Sequence, residues 1–358
     1  MKTLWIALFF FSTFLSAQND SIIGNVKSVR EKVIYVKDTI YNYHDEDEIG
    51  DYGHYGFSGP ETEISIFKQN WYHNMHSSYL NYEKKFNEKR QLIEETWFDK
   101  KDSLYRKYSY KYDKIDRMIQ TVITYVDQDD LAIHNFYYDK KGLLRTDMRV
   151  FLDNPEFYFY TVYSYSADGK LIQTRYFDEY GEQSGWKYEY DEKGRKNKII
   201  YHSPFEATDQ LQKAYHYDNS GNIIKEESYD LNDDRSKYEL KTAKQYSYDQ
   251  KNLIITECIN SYVYSSYQYC ISNQYNEEGL LEEKTDRGRK TKYRYKDGRI
   301  VILEYDETLE YEESTFKRTK AFIQFKYEFD SKGNWIKQTK IVNNIPWFER
   351  IRKIEYFE

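Results

Sequence analysis

Aromatic and polar residues alternate along most of the chain. In the segment Tyr108–Asp113 each tyrosine is followed by a polar residue, so the rings fall on one side of an extended strand and the polar groups on the other. Alternation with a period of two is typical of a half-buried β-strand. The chain has 41 tyrosines and only 4 prolines among 358 residues, which also favours a sheet. The pattern predicts an all-β protein.

The alternating segments recur at a regular spacing. Each ends on an aromatic residue, here called the anchor, and Asp or Asn follows the anchor in eight of ten copies. The anchors are Phe86, Tyr112, Tyr138, Tyr165, Tyr190, Tyr217, Tyr248, Tyr275, Tyr295 and Phe329, with an average step of 27 residues. A fixed period of this length marks an array of identical supersecondary units.

Each anchor is expected to open a tight turn between two strands. A short polar side chain after the anchor is able to accept hydrogen bonds from its own downstream backbone. Glycine, which supplies a left-handed backbone conformation, stands four residues after the anchor in six copies. Arg90 takes this position in the first repeat, where we expect a different loop. Ten hairpins predict about twenty antiparallel strands.

The array is not expected to lie flat. Twenty strands spaced by ~4.8 Å would make a sheet about 95 Å wide, and open sheets rarely exceed about ten strands without curling. We therefore predict ten 27-residue β-hairpin repeats over residues 81–358 that form a long, twisted and curled antiparallel sheet. The turn after Tyr295 is one residue shorter than the others, and Glu307–Arg318 predicts a longer polar loop.

The first 80 residues have a different composition. Lys2, an apolar run from Leu4 to Leu15 and a small residue at Ala17 are typical of a signal peptide over residues 1–17. The apolar run is shorter than the roughly 20 residues that cross a bilayer. Residues 18–80 predict N-terminal cap strands followed by an irregular acidic and glycine-containing loop. We expect an exported protein, periplasmic or secreted to the cell surface, with no transmembrane segment in the mature chain.

The charge pattern narrows the class of partner. The chain has 60 acidic and 53 basic residues, and the two signs are interspersed. A nucleic-acid-binding protein would show a basic patch or stripe. We therefore expect no nucleic-acid partner.

The two cysteines, Cys258 and Cys270, are placed symmetrically about residue 264, where a hairpin turn is expected. They would then face each other on neighbouring strands. In an oxidising exported compartment this predicts a structural disulfide. Two unpaired thiols that pack as small apolar residues are the alternative.

The repeated pattern Tyr-x-Tyr-Asp-x-x-Gly-x-Leu-Ile resembles the YD repeats, also called RHS repeats, of bacterial surface and toxin proteins. The resemblance covers about three quarters of the chain. It implies successive β-hairpins joined into a curling sheet or shell, and an association with carbohydrate binding, cell-surface contact or toxin encapsulation. We expect no C-terminal effector domain and no cleavage segment after the repeats, so the toxin role is not carried over.

The sequence shows no motif that predicts catalysis or a cofactor. Acidic pairs such as Asp129–Asp130 and Asp233–Asp234 fall in predicted solvated turns. His73 and His76 lack a third ligand at an established spacing, and the acidic run Asp45–Asp51 does not match a calcium-binding loop. We predict a protein that is not an enzyme, with no cofactor and no metal.

Aromatic residues remain as candidates for binding, because exposed rings stack on sugars or anchor protein partners. The alternating tyrosines are expected to form a core, and Trp186, Trp335 and Trp347 are partner-binding candidates if they are exposed. The prediction is a binding or structural protein that presents an extended aromatic-rich β surface to a cell-envelope or extracellular protein, or to a polysaccharide. Two alternatives are a polysaccharide-acting enzyme with a site in an irregular repeat, and a surface toxin or immunity-type protein.

Overall fold

The computed structural model describes residues 22–36, 71–73, 80–99, 101–126, 130–206, 208–231, 238–263, 267–312 and 315–358. These ranges contain 22 β-strands and one short helix, α1 (Trp71–His73). The predicted signal peptide and the acidic, glycine-containing loop lie outside the described residues. Within the described ranges, no helix has the length and apolar character that crossing a membrane requires.

The strands are distributed along the whole repeat array and the segment before it. They are β1 (Val26–Tyr35), β2 (Asn81–Phe86), β3 (Leu92–Phe98), β4 (Leu104–Tyr112), β5 (Met118–Tyr125), β6 (Asp130–Tyr138), β7 (Leu144–Phe151), β8 (Tyr158–Tyr165), β9 (Leu171–Asp178), β10 (Gly181–Tyr190), β11 (Lys196–His202), β12 (Gln210–Tyr217), β13 (Ile223–Leu231), β14 (Tyr238–Tyr248), β15 (Ile254–Ser261), β16 (Tyr267–Tyr275), β17 (Leu281–Asp286), β18 (Arg289–Lys296), β19 (Arg299–Glu312), β20 (Thr315–Phe329), β21 (Trp335–Val342) and β22 (Ile345–Tyr356).

The sheet closes on itself. Each strand pairs antiparallel with the next one along the chain, and β1 pairs with both β2 and β22. The prediction of a long, twisted and curled sheet of ten hairpin repeats was therefore wrong, because the protein is a closed antiparallel barrel of 22 strands. Closure pairs the backbone groups that two free edges would leave unpaired. The repeat pattern describes each hairpin, but it carries no information on whether the first strand meets the last.

The turn after the anchor follows the predicted chemistry. In the repeat of Tyr138, the Oδ1 atom of Asp139 accepts hydrogen bonds from the backbone N–H groups of Lys141, at 2.8 Å, and Leu143, at 3.0 Å. Gly142 has a φ of 84° and donates its N–H to the carbonyl of Asp139 at 3.0 Å. The short acidic side chain thus organises the turn, and glycine supplies the left-handed residue that closes it.

Two irregular repeats differ from expectation. Arg90 has a φ of 65° and makes the same backbone contact as the glycines, a 2.8 Å bond to the carbonyl of Asn87. The expectation of a different loop there was wrong, because the Asn87 side chain holds the turn through the N–H of Gln91 at 3.0 Å.

The predicted polar loop Glu307–Arg318 was also wrong, since β19 and β20 continue their pairing through it. Polar composition alone does not prevent strand pairing, because the ladder is made by backbone groups.

The turn after Tyr295 is shorter than the others, as predicted. Its two central residues, Asp297 and Gly298, have φ values of 51° and 71°. Positive φ at both positions is the signature of a type I′ turn, which matches the twist of the strands that it joins.

Neighbouring hairpins are linked by the hydroxyl groups of the anchors. The Tyr217 hydroxyl donates a 2.6 Å hydrogen bond to the carbonyl of Lys196, the first residue of β11. In each such link the acceptor is the first residue of the second strand in the preceding hairpin. The same link joins Tyr112 to Leu92, Tyr138 to Met118, Tyr190 to Leu171, Tyr248 to Ile223, Tyr275 to Ile254 and Tyr295 to Leu281. A β-bulge interrupts the ladder beside these carbonyls, for example where Lys196 pairs with Tyr190, so the hydroxyl stabilises a local gap in the pairing.

A buried core identifies the inner face of the barrel. Trp71 and Tyr72 of α1 pack against Phe348 and Phe325, with ring centroids 6.4 and 5.3 Å apart. The core also includes Tyr82, Trp97, Tyr108, Leu303, Ile323 and Val342. Directly opposed residues of an antiparallel pair share a face. The strand register therefore extends this inner face around the whole barrel.

Cys258 and Cys270 lie opposite each other on β15 and β16. They are joined by a disulfide, and their Cα atoms are 4.0 Å apart. Glu257 and Ile259 flank Cys258 in the strand and point inward by register, so the disulfide lies on the outer face.

We predict that Tyr217→Phe lowers the free energy of unfolding by about 1 kcal/mol, because it leaves the Lys196 carbonyl without its hydroxyl donor. Urea denaturation would measure the change. Tyr137→Phe is the control, since Tyr137 is 52% exposed. Equal stability of the two variants would contradict a stabilising role for the anchor hydroxyl.

We predict that the double change Cys258→Ser, Cys270→Ser lowers the free energy of unfolding by about 2–3 kcal/mol, because the disulfide closes a segment of sequence separation 12. Denaturation with and without reducing agent would measure it. The pair Thr256→Ala, Ser272→Ala alters the opposed outer-face position two residues away and serves as control. A wild-type protein that is insensitive to reduction would refute the prediction.

Candidate functional site

The inner face of the barrel has two distinct parts. Strands β1–β4 and β17–β22 surround the buried core and are called the filled sector. Strands β5–β16, called the open sector, carry inner side chains that are mostly half-buried. Trp186 is 37% exposed and Tyr267 is 49% exposed on this face. The open sector is therefore an inward-facing surface that solvent reaches.

Carboxylates on the inner face are held by tyrosine hydroxyls. Glu95, Asp147 and Glu226 each stand nine residues after an anchor. Their partners stand two residues before the next anchor. Tyr110 donates to Glu95 at 3.2 Å, Tyr163 to Asp147 at 2.6 Å and Tyr246 to Glu226 at 3.4 Å. The repeat therefore places acceptor and donor groups side by side, in the open sector and in the adjoining filled sector.

The protonation of these tyrosines suits them to donate hydrogen bonds. Burial, and then the neighbouring carboxylate, raises the pKa of Tyr163 and of Tyr246 well above the ordinary value of 10. Burial, and then Glu226, raises the pKa of Tyr215 to about 12. These hydroxyls stay protonated at neutral pH, so they serve as hydrogen-bond donors and not as nucleophiles.

Basic groups balance the carboxylates of the open sector. His134 Nε2 lies 2.8 Å from Asp147 Oδ1, and Lys213 Nζ lies 2.9 Å from Glu226 Oε1. Arg149 donates a hydrogen bond to the Tyr125 hydroxyl. The surface thus offers both donors and acceptors, and several of its charges are already paired within the protein.

Aromatic rings form two groups on the same face. Phe159 packs against Tyr176, with ring centroids 5.8 Å apart, and against Phe151 at 6.3 Å. Trp186 meets Tyr201 edge to face at 5.3 Å. Half-exposed rings beside hydrogen-bonding groups are the composition of a ligand-binding surface.

The structure separates the three predicted tryptophans. Trp186 is exposed on the open sector. Trp347 is half-buried against the core, 6.2 Å from Phe348 between ring centroids. Trp335 is only 5% exposed, because the guanidinium groups of Arg350 and Arg352 lie over its ring at 4.6 and 3.7 Å. Of the three, Trp186 meets the condition of exposure most clearly, and Trp335 does not meet it.

The residues considered for metal or acid–base chemistry do not converge. Within the described ranges, no group of three or more His, Cys, Asp or Glu side chains is placed to hold a metal ion. Asp130 begins β6 and His73 ends α1. Asp129, Asp233, Asp234, His76 and Asp45–Asp51 lie outside the described residues.

The pairing of β1 with β22 is called the seam. It holds a buried charge cluster that the sequence analysis did not predict. Glu31 is completely buried and lies between β2 and β22. Its carboxylate accepts hydrogen bonds from Tyr82 at 3.0 Å, from Arg352 Nε at 2.9 Å and from Arg350 Nε. Burial raises the pKa of Glu31, but the charges and hydrogen bonds of the two arginines outweigh it and lower the pKa from 4.5 to about 2.

A cavity of about 310 Å³ lies beside this cluster, at the barrel end that holds the anchor turns. It is called the seam cavity. Its lining consists of four basic residues, Lys84, Arg90, Arg350 and Arg352, and five residues with apolar or aromatic side chains, Ile22, Val26, Val29, Tyr82 and Phe86.

We predict that Glu31→Gln lowers the free energy of unfolding by about 3–5 kcal/mol, because it leaves two buried arginines without their carboxylate. The folded-state pKa is depressed, so the stabilisation is present above about pH 4.5 and is lost as the pH falls toward 2. Urea denaturation between pH 2 and 7 would measure both effects.

Glu328→Gln is the control for that prediction, since the Glu328 side chain is 67% exposed. Its cost should stay within about 0.5 kcal/mol. If the Glu31→Gln protein kept the acid dependence of the wild type, the assignment of that dependence to Glu31 would be wrong.

Comparison with known proteins gives structural neighbours and no family assignment. No family model matches the chain, and no curated protein matches it significantly. Among solved structures, the Photorhabdus luminescens Tc holotoxin pore is similar at 10% identity and a TM-score of 0.41, over 76% of this chain and 18% of that chain. The TcdB2–TccC3–Cdc42 complex is similar at 9% identity and a TM-score of 0.36, over 80% of this chain and 17% of that chain. A porin-like protein from Bacteroides uniformis is similar at 8% identity and a TM-score of 0.29, over 92% and 98%.

Structures of Tc toxin components are thus among the neighbours of this chain, and no family model confirms the YD repeat family. The chain spans less than a fifth of the first two of these neighbours.

Proposed function

We propose that this protein is an exported, non-enzymatic binding protein that holds an oligosaccharide segment against the open sector. The observation that carries the proposal is the position of Trp186. Its ring is 37% exposed on the inner face and is supported edge to face by Tyr201. Support from a second ring fixes the orientation of an aromatic platform.

The hydrogen-bonding groups around this platform favour a neutral ligand. Asp147 is engaged by His134 and Tyr163, and Glu226 is engaged by Lys213 and Tyr246. Because these charges are already paired inside the protein, a charged ligand would have to compete with an existing partner. A sugar hydroxyl both donates and accepts, so it adds to such pairs without displacing them.

The aromatic rings suit the apolar faces of a saccharide. The C–H faces of a pyranose ring are apolar and pack on an aromatic face, as any apolar group does. Rings at Phe159, Tyr176 and Trp186 are spread over three consecutive strands of one surface. That spacing favours an extended oligosaccharide over a single sugar. Export is supported by the N-terminal sequence, which has the pattern of a signal peptide.

We predict that Trp186→Ala weakens binding of an oligosaccharide at least tenfold, because it removes the platform at the centre of the site. Calorimetric titration of the purified protein with neutral oligosaccharides from envelope and extracellular polysaccharides would measure it. Tyr180→Ala is the control, since Tyr180 is 85% exposed in the turn between β9 and β10. Absence of binding to every member of the set, or an equal loss in both variants, would refute the saccharide site.

The titrated mixture also distinguishes binding from hydrolysis. After the titration, the mixture would be incubated for a day and the reducing ends released from the oligosaccharide would be measured. A constant number is expected for a binding protein, and a steady release would show that the protein is an enzyme.

A further inference from the structure

We propose that the seam cavity is a second binding site, which takes an anionic head group, carboxylate or phosphate, attached to a short apolar chain. The cavity lining combines four basic side chains with five apolar or aromatic ones. Its volume of about 310 Å³ lies at the lower end of the range for small-molecule sites.

The positive charge of the lining favours a ligand with a negative charge. Among the described residues that line the cavity, four are basic and none is acidic. Glu31 lies behind the lining, where it pairs with both Arg350 and Arg352. Lys84 of β2 and Arg90 of the turn after Phe86 bring further positive charge to the lining. An anion that entered the cavity would meet positive charge from three strands or turns at once.

The guanidinium groups are held in place before a ligand arrives. Arg350 and Arg352 are 1% and 6% exposed, and each is fixed by Glu31 and by the ring of Trp335. Arg90 donates a hydrogen bond of 3.3 Å to the carbonyl of Ile22, which fixes the edge of the cavity. Fixed guanidinium groups bind carboxylate and phosphate well, because their donors match the geometry of two oxygen atoms.

The apolar part of the lining favours an apolar group on the ligand. Val26 and Val29 of β1 and Phe86 of β2 line the same cavity as the cations. An inorganic ion would leave these side chains in contact with water, whereas an attached apolar chain would cover them. A ligand with a charged head and a short chain therefore matches both kinds of lining residue.

This site is independent of the proposed saccharide site. The seam cavity is formed by β1, β2, β22 and the turn after Phe86, whereas the saccharide site lies on β5–β16. Either site is able to exist without the other, and the variants of one do not touch the other.

Calorimetric titration of the full protein with hexanoate tests the proposal. We expect saturable binding with one site per chain, and at least tenfold weaker binding of hexan-1-ol, hexylamine and inorganic phosphate. Hexyl phosphate, compared with hexanoate, distinguishes a phosphate head group from a carboxylate. Equal affinity for hexanoate and hexan-1-ol would overturn the proposal, and so would absence of hexanoate binding.

The variant Arg90→Asn removes one cation and keeps a residue that tolerates the positive φ of 65°. We expect at least a tenfold loss of hexanoate affinity. Arg287→Asn is the matched control, because Arg287 also has a positive φ, 49°, but lies in the turn between β17 and β18 at the opposite barrel end. Lys84→Gln is a second test variant that leaves the Glu31 cluster intact. Equal losses for Arg90→Asn and Arg287→Asn would show non-specific attraction and overturn the site.

Trp186→Ala should leave hexanoate affinity unchanged. A failure of the saccharide titration together with intact hexanoate binding would refute the proposed function alone, and the reverse result would refute the seam site alone.

Discussion

The barrel depends on the insertion of β1 between β2 and β22. Without it, these two strands would be free edges with rows of unpaired backbone groups. The centre of the insertion is Glu31, whose carboxylate meets Arg350, Arg352 and Tyr82 with no exposure to water. Such a cluster stabilises a fold only in its complete form, because any member left alone is a buried charge or polar group. The cluster thus joins β1 to β2 through Tyr82 and to β22 through the two arginines, in addition to the backbone ladders.

A second set of contacts joins the segment before β1 to the last hairpin at the same seam. Asn334 accepts a hydrogen bond from the backbone of Ile23 at 2.7 Å, and donates to the Ile23 carbonyl at 2.9 Å and to the Tyr356 hydroxyl at 2.7 Å. Tyr356 stands 27 residues after the anchor Phe329, so it occupies the next anchor position. The last link of the repeat array thus joins the segment before the first strand. A linear repeat array has two exposed ends, and here this contact adds to the pairing of β1 that joins them.

Between these two ends of the sheet, arginine side chains couple several anchor turns to the following hairpin. Arg117 pairs with Asp113 of its own turn at 2.6 Å, and its guanidinium lies 4.6 Å from the centre of the next anchor ring, Tyr138. Arg195 repeats this arrangement with Asp191 and Tyr217. Ion pairs near the surface contribute little individually. Here they add a second contact between successive hairpins beside the hydrogen bond of the anchor hydroxyl.

These contacts explain which features of the fold are predictable from the sequence and which are not. The turns are predictable because the Asp–Gly spacing acts locally, within five residues. Closure is not, because the inner face of β1 and β22 carries Glu31, Arg350 and Arg352, and alternating charged residues indicate a solvated face. Trp335 misleads for the same reason, since the arginines that cover it look like surface residues. Trp186, by contrast, is exposed, which was the condition set for it as a binding candidate.

The repeat also explains how one pattern gives both a core and the proposed binding surface. Tyr293 and Tyr215 occupy the same position, two residues before an anchor, yet Tyr293 is 5% exposed in the filled sector and Tyr215 is half-buried in the open one. The difference lies in what faces them across the barrel, because Trp71 and Tyr72 join the core of the filled sector. A ligand that lies along the open sector would cover tyrosines that the core covers elsewhere. The proposed surface would therefore need no residues of its own beyond Trp186 and its neighbours, since the repeat already supplies the rings and hydroxyls.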